Sequence, residues 1–394
     1  MLQTILQSGW IIFQVAVAVM LLFPVFSYLI FLVKKTTLPV SSNLHQQNDY
    51  GIIVTAYQNS ANLDHVIQSI LKVKHERYIV YVVADNCPDY EDHFNDDRVV
   101  IIKPIKTLGN QLKSHFLAIQ HFKRPHHLLT IIDSDNIVHP NYLAALDPFF
   151  NSGYEAVQGT RTAKNLDTHY ACIDAVNELY YLFYDRKILF NIGSSCMLSG
   201  SGMAFTVSLY RECLEKLNSE GAGFDKVLQY QIMKRGYRIA FAEHAIVYDE
   251  KTAHSDQLVK QRARWNNTWF RYFKYGFELM GMGIQKGKMN PFIFGFILTR
   301  PPLFILLFLC GMIFIANLII SINTAICWFA FIGIFMAGFF LALLNSNTDK
   351  RIYQSLVHIP KFIFLQLMSL FKARKANEFS VATEHRFNKD IDPL

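Results

Sequence analysis

The sequence predicts an α/β domain, built on a parallel β-sheet with helices on both faces, together with about three membrane-spanning helices. Apolar residues make up 52% of the 394 residues and charged residues only 18%, against about 25% charged residues in a typical soluble domain. The apolar excess lies in long runs near both ends of the chain, and short β-rich and helical segments alternate between them. These patterns exclude disordered, collagen-like and ordinary soluble proteins.

Residues 10–33 form the first apolar run, which is long enough to cross a bilayer because about 20 residues suffice. No basic segment precedes the run and no small-residue cleavage site follows it, so we expect an uncleaved anchor and not a signal peptide. Lys34 and Lys35 follow, whereas the first nine residues carry no charged side chain. The positive-inside rule therefore predicts an external N-terminus and a cytoplasmic domain after the anchor.

The middle of the chain has the pattern of a doubly covered parallel sheet. Its strands are predicted from apolar runs, near-continuous as in a sheet buried on both faces, at residues 50–56, 78–84, 99–102 and 128–132. Helices are predicted between or after them, at residues 61–73, 111–122 and 140–150. In such folds ligands bind at the carboxyl ends of the strands.

Polar residues follow two of these strands. Asp85 ends the second, and Asp133 and Asp135 flank one small residue after the fourth. Two facing carboxylates repel each other unless a cation lies between them, and Mg²⁺ or Mn²⁺ prefers oxygen ligands and brings phosphates of its own. The alternative is that each Asp is an ordinary helix cap or turn residue.

The second apolar block divides into two predicted spans, residues 303–320 and 325–344. Arg300 precedes the pair and Lys350 and Arg351 follow it, so both ends are expected in the cytoplasm and the pair forms a hairpin.

Two further apolar segments are not expected to cross. Residues 291–299 are too short to span and are expected at the membrane interface. A span over residues 352–371 would leave the basic cluster at 372–375 outside, so we favour an amphipathic helix on the cytoplasmic surface.

Charge and cysteine content narrow the possible classes of protein further. The net charge is +7, but no basic patch is interleaved with aromatic residues and no zinc or helix-turn-helix pattern occurs, so no nucleic-acid partner is expected. The six cysteines show neither a CxxC motif nor metal-ligand spacing, which is typical of reduced thiols in a cytosolic domain. They are Cys87, Cys172, Cys196, Cys213, Cys310 and Cys327.

Six short motifs occur in a recognisable order. They are Val-Thr-Ala-Tyr-Gln at 54–58, Val-Ala-Asp-Asn-Cys-Pro-Asp at 83–89, Asp-Ser-Asp at 133–135, Ser-Gly-Ser-Gly-Met at 199–203, Asp225 with Gly236 eleven residues later, and Gln-Arg-Ala-Arg-Trp at 261–265. On these motifs the chain resembles membrane-integrated family 2 glycosyltransferases, which include the synthases of hyaluronan, chitin, cellulose and poly-N-acetylglucosamine. The resemblance covers about residues 50–265.

The resemblance implies a GT-A fold and inverting transfer from a nucleotide-diphospho-sugar, with Mg²⁺ or Mn²⁺. It implies that Asp133 and Asp135 hold the metal and that Asp225 is the general base for the acceptor hydroxyl. The implied nucleotide-sugar contacts are Ala56, Asp85, Asp133, Gln261, Arg264 and Trp265. The implied acceptor contacts are Gly200, Ser201, Gly202 and Trp265.

The chain departs from the family pattern in two places. The Thr-Glu that usually precedes the base is Gly223-Phe224, and the early Asn-Glu-Glu is Gln58-Asn59-Ser60. Local alternatives also remain open. The glycine loop at 200–202 fits an ordinary turn, and the arginines of 261–271 with Trp265 fit membrane-flank anchors.

Together these features predict a membrane-bound transferase that uses a UDP-sugar and extends a polysaccharide or a lipid-linked glycan. The expected units are an anchor at 1–42, a cytoplasmic catalytic domain at 43–273, an interface segment and hairpin at 274–345, and an interface helix with tail at 346–394. We expect a multi-pass protein of the plasma membrane. Three spans are few for a product tunnel in one chain, so a homo-oligomer or synthase complex is an option. The alternative function is a non-catalytic nucleotide-binding subunit of such a complex.

Overall fold

The computed structural model describes residues 1–34, 46–217, 223–346 and 348–373. The expected linker with Lys35 and the end of the tail, with Arg374 and Lys375, lie outside these residues. Within them a mixed sheet of eight strands forms the centre of the fold. The strands are β1 (Tyr50–Tyr57), β2 (Tyr78–Asp85), β3 (Val99–Ile102), β4 (Leu128–Asp133), β5 (Ile137–Val138), β6 (Ala156–Ala163), β7 (Met203–Thr206) and β8 (Ile239–Asp249).

The strand order is β3-β2-β1-β4-β7-β6-β8-β5. β3, β2, β1 and β4 are parallel, as predicted, and the four predicted strands agree with the observed ones to within one residue at each end. The other half is mixed, because β7 runs antiparallel to β4 and β6, and β5 runs antiparallel to β8. The sheet as a whole is therefore mixed, and the sequence predicts its parallel half. β6 and β8, which pair in parallel with each other, were not predicted, because polar residues within them interrupt the apolar run that identifies a doubly buried strand.

Helices cover the sheet and continue into the apolar segments. They are α1 (Leu2–Val33), α2 (Leu63–Leu71), α3 (Gln111–Gln120), α4 (Tyr142–Asn151), α5 (His169–Tyr181), α6 (Leu189–Asn191), α7 (Val207–Leu214), α8 (Phe224–Lys234), α9 (Ser255–Tyr272), α10 (Lys274–Lys286), α11 (Met289–Thr299), α12 (Leu303–Ile320), α13 (Ile322–Leu344), α14 (Lys350–Ser355) and α15 (Ile359–Ala373). A π-helical turn, Leu182–Ile188, joins α5 to α6, and a 3₁₀ turn, Leu356–His358, joins α14 to α15.

Three helices in the described part are long and apolar enough to cross a membrane, as the sequence predicts. The candidate spans are Thr4–Val33, Leu303–Ile320 and Ile322–Leu344. They pack together around a polar contact, in which the side-chain oxygen of Gln14 accepts hydrogen bonds from Asn317 and Trp328, each at 2.7 Å. The hydroxyl of Tyr184 donates to the carbonyl oxygen of Gly338 at 2.7 Å, which ties the π-helical turn to α13.

The two segments that were not expected to span pack on the α/β domain. α11 lies against α10 and buries Phe294 in the main core cluster. α15 packs along α9, where Asn266 Nδ2 donates to Ser369 Oγ at 2.9 Å. The opposite side of α15 exposes Phe364 and Phe371. α15 is thus amphipathic, as predicted, and its position at a membrane surface stays a prediction.

Candidate active site

A cavity of about 750 Å³ opens at the carboxyl ends of β1, β2 and β4. Thr55, Asp85 and Asp133 line one end of it, which we call the donor end. α9 covers its middle, and the cavity continues to Leu303 and Phe304 at the start of α12. We call that second part the inner end. A single cavity therefore connects the predicted ligand edge of the sheet with the first turn of a candidate membrane span.

Backbone amides hold the predicted nucleotide residue Asp85. Its carboxylate accepts hydrogen bonds from the N–H groups of Leu108 (2.9 Å) and Gly109 (2.8 Å), and the residue is buried. It thereby fixes the loop before α3 as a wall of the donor end. Gln58 and Asn86, which follow β1 and β2, have left-handed φ values of 59° and 54°. Both strands thus end in tight turns at this edge, and Ala56 lines the cavity between them.

The predicted metal ligands Asp133 and Asp135 both line the donor end. Gln111 Nε2 donates to Asp133 Oδ1 at 3.3 Å, and Asn136 Nδ2 donates to Asp135 Oδ1 at 3.1 Å. Within the described residues no three His, Cys, Asp or Glu side chains converge on one point. Mg²⁺ and Mn²⁺ commonly use one or two carboxylates and take their other ligands from water and substrate phosphates. Two carboxylates beside an open cavity fit that type of site.

The glycine loop differs from the prediction in part. Gly200 lines the cavity, but Ser201 and Gly202 are buried beneath it, so direct acceptor contact by these two is corrected. Ser201 Oγ instead accepts a hydrogen bond from the backbone N–H of Asp133 at 3.1 Å. Gln158 Nε2 donates to the carbonyl oxygens of Ser201 (3.1 Å) and Gly202 (3.2 Å). The loop therefore couples the Asp-Ser-Asp turn to the part of the cavity wall that Gly200 forms.

Asp225 lies in the first turn of α8 and lines the cavity. Lys226 Nζ is 3.2 Å from Asp225 Oδ2, and the Asp225 side chain keeps 16% exposure. The Asp225 carboxyl group is therefore accessible from the cavity and lies next to a cation.

The structure explains why Thr-Glu is replaced before Asp225. Gly223 has φ +98°, and a Cβ there would lie 2.8 Å from Thr268 Cγ2 and 2.9 Å from Tyr272 Cε2 on α9. Phe224 is buried with its ring centroid 5.1 Å from that of His115. The two residues thus pack α8 against its neighbours and supply no acidic group to the cavity.

Gln261, Arg264 and Trp265 all line the cavity from α9. Burial lowers the pKa of the Arg264 guanidinium, and the Trp265 side chain remains 41% exposed. The Arg262 guanidinium lies 4.3 Å above the Trp265 ring centroid and forms an ion pair with Asp174 on α5. This buried contact fixes the ring, which a membrane-flank anchor does not require.

A network of charged side chains that also lines the cavity was not predicted from the sequence. Arg161 Nε lies 2.8 Å from Glu178 Oε1, and Lys251 pairs with both Glu178 and Asp249, the latter at 2.7 Å. Although burial favours a higher pKa for Glu178, Arg161 and Lys251 hold it well below its usual value. These side chains come from β6, α5, β8 and the segment after it, and no local motif signals them.

Asp185 and Arg300 extend this network towards the membrane helices. Arg300 Nη2 donates to both carboxylate oxygens of Asp185, at 2.9 and 2.8 Å. Arg300 was read from the sequence as a basic flank of the hairpin, but it is buried and lines the cavity.

Two comparisons place the chain among known proteins. The family described as Glycosyltransferase like family 2 matches residues 47–268, more than half of the chain. No curated protein is significantly similar to the chain in sequence.

Among solved structures, the chain is similar to the mannosyltransferase PcManGT from Pyrobaculum calidifontis, determined in complex with GDP-Man and Mn²⁺. The two are 13% identical, with a TM-score of 0.52, over 91% of this chain and 98% of that one. This likeness confirms the predicted GT-A fold.

Proposed function

The chain belongs to glycosyltransferase family 2, and we propose that it is a membrane-bound inverting enzyme that transfers a sugar from a nucleotide-diphospho-sugar to a glycan or lipid-linked acceptor. One observation carries the proposal. Asp133, Asp135 and Asp225, which lie up to 92 positions apart in the chain, line the same cavity. A nucleotide-binding subunit without activity has no need of a charged, accessible carboxylate such as Asp225 at this place.

The donor end is proposed to bind the nucleotide sugar, with a UDP-sugar as the first candidate. Ala56 and Asp85 contact the nucleoside. Asp133 and Asp135 hold Mg²⁺ or Mn²⁺, which when bound neutralises charge that develops on the leaving diphosphate. The presence of Mn²⁺ and GDP-Man in PcManGT supports this class of donor and makes a GDP-sugar the second candidate.

α9 is proposed to hold the diphosphate and the sugar. Gln261 and Arg264 can donate hydrogen bonds to phosphate oxygens, and a guanidinium can form two such bonds in parallel. Trp265 offers a flat apolar face to a sugar ring. Arg262 is a positioning residue, since it lies on the Trp265 ring and is itself paired with Asp174.

Asp225 is proposed to accept the proton of the acceptor hydroxyl. The acceptor oxygen then forms its bond to the anomeric carbon while the bond from that carbon to the diphosphate oxygen breaks, which inverts the configuration. Gly200, which has no side chain, leaves room for the acceptor glycan to approach closely. Ser201 and Gly202 support the loop from its buried side. Lys226 Nζ, 3.2 Å from Asp225 Oδ2, is in a position to orient this carboxyl group.

The membrane arrangement is also a proposal. The three spans are proposed to hold the α/β domain at the cytoplasmic face of the plasma membrane, because the basic residues Lys34, Lys350 and Arg351 flank them on one side. Three helices in one chain are few for a tunnel that carries a polymer across the membrane. If the product is long, a second copy of the chain or another synthase subunit is therefore the proposed partner.

The test is a screen of UDP- and GDP-sugars with Mn²⁺ or Mg²⁺, in which the purified full-length protein is assayed for nucleotide release and the product is sized. We expect metal-dependent release from one donor. The variant Asp225→Asn should reduce transfer by about 10²–10⁴-fold and should still bind nucleotide. Asp256→Asn is the matched control, because Asp256 is exposed in the first turn of α9.

Two outcomes would contradict this account. Full activity of Asp225→Asn would show that another group is the base. The absence of turnover with every sugar nucleotide would support the alternative of a non-catalytic subunit.

A further inference from the structure

Arg186 is a buried cation that the proposed reaction does not use. It lies in the π-helical turn Leu182–Ile188, is 6% exposed and lines the cavity. Its Nε and Nη1 atoms have no hydrogen-bond partner among the described residues. Short π-helical segments are frequent at functional sites. A buried guanidinium with unused donors is costly to keep unless something binds it.

Arg186 lacks the direct carboxylate partner that other buried cations lining the cavity have, although Glu178 and Asp185 are close enough to interact with it electrostatically. Each of those other cations has a carboxylate within 4 Å. The pairs are Arg161 with Glu178, Lys251 with Asp249, Arg262 with Asp174, and Arg300 with Asp185. No ion pair within 4 Å is found for Arg186 in the described part of the chain. Arg186 is thus the exception among these five cavity-lining cations.

Other groups with unused donors line the same cavity. Arg300 Nη1, Gln229 Nε2 and Trp269 Nε1 are buried without a hydrogen-bond acceptor in the residues that the structure describes, and all three residues line the cavity. A ligand that satisfies them must offer acceptor atoms, and the cations of Arg186 and Arg300 favour a negatively charged one. A phosphate or diphosphate has these properties, and arginine binds it with paired hydrogen bonds.

The cavity wall next to Arg300 is apolar, and a candidate membrane span begins there. It is formed by Ile297 and Leu298 of α11, by Pro301 and Pro302, and by Leu303 and Phe304 of α12. A ligand held here would have a charged head beside Arg186 and an apolar chain beside α12. A soluble anion would make no use of this wall.

We propose that Arg186 and Arg300 bind the phosphoryl group of a lipid-linked acceptor at the inner end of the cavity. This proposal rests on the proposed glycosyl transfer, because the lipid-linked ligand bound here is the acceptor whose hydroxyl reaches Asp225. It separates two phosphate sites in one cavity. The donor diphosphate binds at the carboxylates through a metal, and the acceptor phosphate binds at the arginines without one.

The test measures ligand binding by calorimetry to the purified full-length protein in detergent with EDTA. The probes are farnesyl diphosphate, farnesol and inorganic pyrophosphate. We expect the wild type to bind farnesyl diphosphate at least about tenfold more tightly than either other probe, because only this probe has both head and chain. Arg186→Gln should lose about tenfold or more of that affinity, as expected for a charged hydrogen bond. The affinity of Arg186→Lys for farnesyl diphosphate should lie between those of the wild type and Arg186→Gln.

Lys187→Gln is the matched control, because Lys187 is the neighbouring cation but pairs with Glu243 at 2.5 Å, away from the cavity lining. It should bind farnesyl diphosphate as the wild type does. Binding of UDP with Mn²⁺ should be unchanged in Arg186→Gln, which shows that this variant is folded. If it does not fold, Arg186→Lys and the three-probe comparison on the wild type decide.

Each contrary result overturns a specific part of the proposal. Equal binding of farnesol would show that the phosphoryl group is not recognised, and equal binding of pyrophosphate would show that a soluble anion is the ligand. Loss of UDP binding alone in Arg186→Gln would assign Arg186 to the donor end. If farnesyl diphosphate binds as expected but no sugar nucleotide is turned over, the transferase proposal fails and this site stands.

Discussion

The two ends of the cavity hold their charges in different ways. At the donor end neutral groups hold the carboxylates. Backbone amides of Leu108 and Gly109 donate to Asp85, and the side-chain amides of Gln111 and Asn136 donate to Asp133 and Asp135. At the inner end side chains fix one another, as in the Asp185–Arg300 pair. The donor end can therefore lose a carboxylate without leaving a buried charge alone, whereas the inner end cannot. This difference is what we expect if the donor end binds a cation with phosphates and the inner end binds an anion, as proposed above.

The largest effect is expected when the inner end loses a carboxylate. Asp185→Asn leaves Arg300 buried without its counter-ion, and removal of one partner of a buried pair costs about 3–5 kcal/mol. Thermal unfolding of the purified protein should show a large drop in Tm. Glu212→Gln is the control, since its pair with Arg235 is at the surface and such pairs contribute little. An unchanged Tm for Asp185→Asn would show that the inner-end charges are not interdependent.

The matching change at the donor end should leave stability intact and reduce activity. Asp135→Asn removes a proposed metal ligand, and we expect transfer to fall about 100-fold or more, since a metal contributes several kcal/mol to the transition state. Its Tm should stay close to that of the wild type, because its hydrogen-bond donor Asn136 is neutral. Asp97→Asn, an exposed carboxylate, should change neither quantity. If Asp135→Asn melted as early as Asp185→Asn, the contrast between the two ends would disappear.

A backbone change at the boundary of the two ends should have an intermediate effect. Gly223→Ala places a Cβ 2.8 Å from Thr268 in a left-handed conformation, which should cost about 2 kcal/mol and displace Asp225. The control is Gly236→Ala at the other end of α8, which has φ +87° but nothing within 4 Å of its Cβ. Tm and transfer rate should both fall more in Gly223→Ala. Equal losses would mean that the contact with α9 is unimportant.

The smallest effect concerns the neutral packing behind the donor end. Burial lowers the pKa of His115 to about 3, from a usual value of 6.5. Between these pH values the unfolded chain binds a proton that the folded chain does not, so stability falls as the pH falls below 6.5. The loss should be at most about 1.4 kcal/mol per pH unit.

Tm measured at pH 7.5 and 5.5 tests this. The decrease should be smaller in His115→Gln than in the wild type, and unchanged in His121→Gln, where the histidine is exposed. Identical decreases in all three proteins would show that His115 does not set the pH dependence.

How much the sequence predicts also differs between the two ends. Asp85, Asp133 and Asp135 end apolar strands, and strand topology brings such residues to one edge, so local patterns were sufficient. Arg161, Glu178 and Lys251 come together only through tertiary packing, and nothing in their spacing shows it.

The fold shows the same division. The four parallel strands and the three spans follow from apolar runs, whereas β6 and β8 are interrupted by polar residues and were missed. Ser201 and Gly202 were placed on the cavity wall because a motif gives the loop but not which of its residues point outward. Arg300 was interpreted as a membrane flank because its partner, Asp185, is 115 positions away in the chain.

The central claim is that one cavity holds a donor diphosphate and an acceptor phosphate in separate places. The most direct test titrates farnesyl diphosphate into the wild-type protein saturated with UDP and Mn²⁺. The account predicts that one molecule binds per chain, with an affinity within about threefold of that measured in EDTA without UDP. Exclusion of farnesyl diphosphate by UDP and Mn²⁺ would show a single phosphate site and would contradict the account.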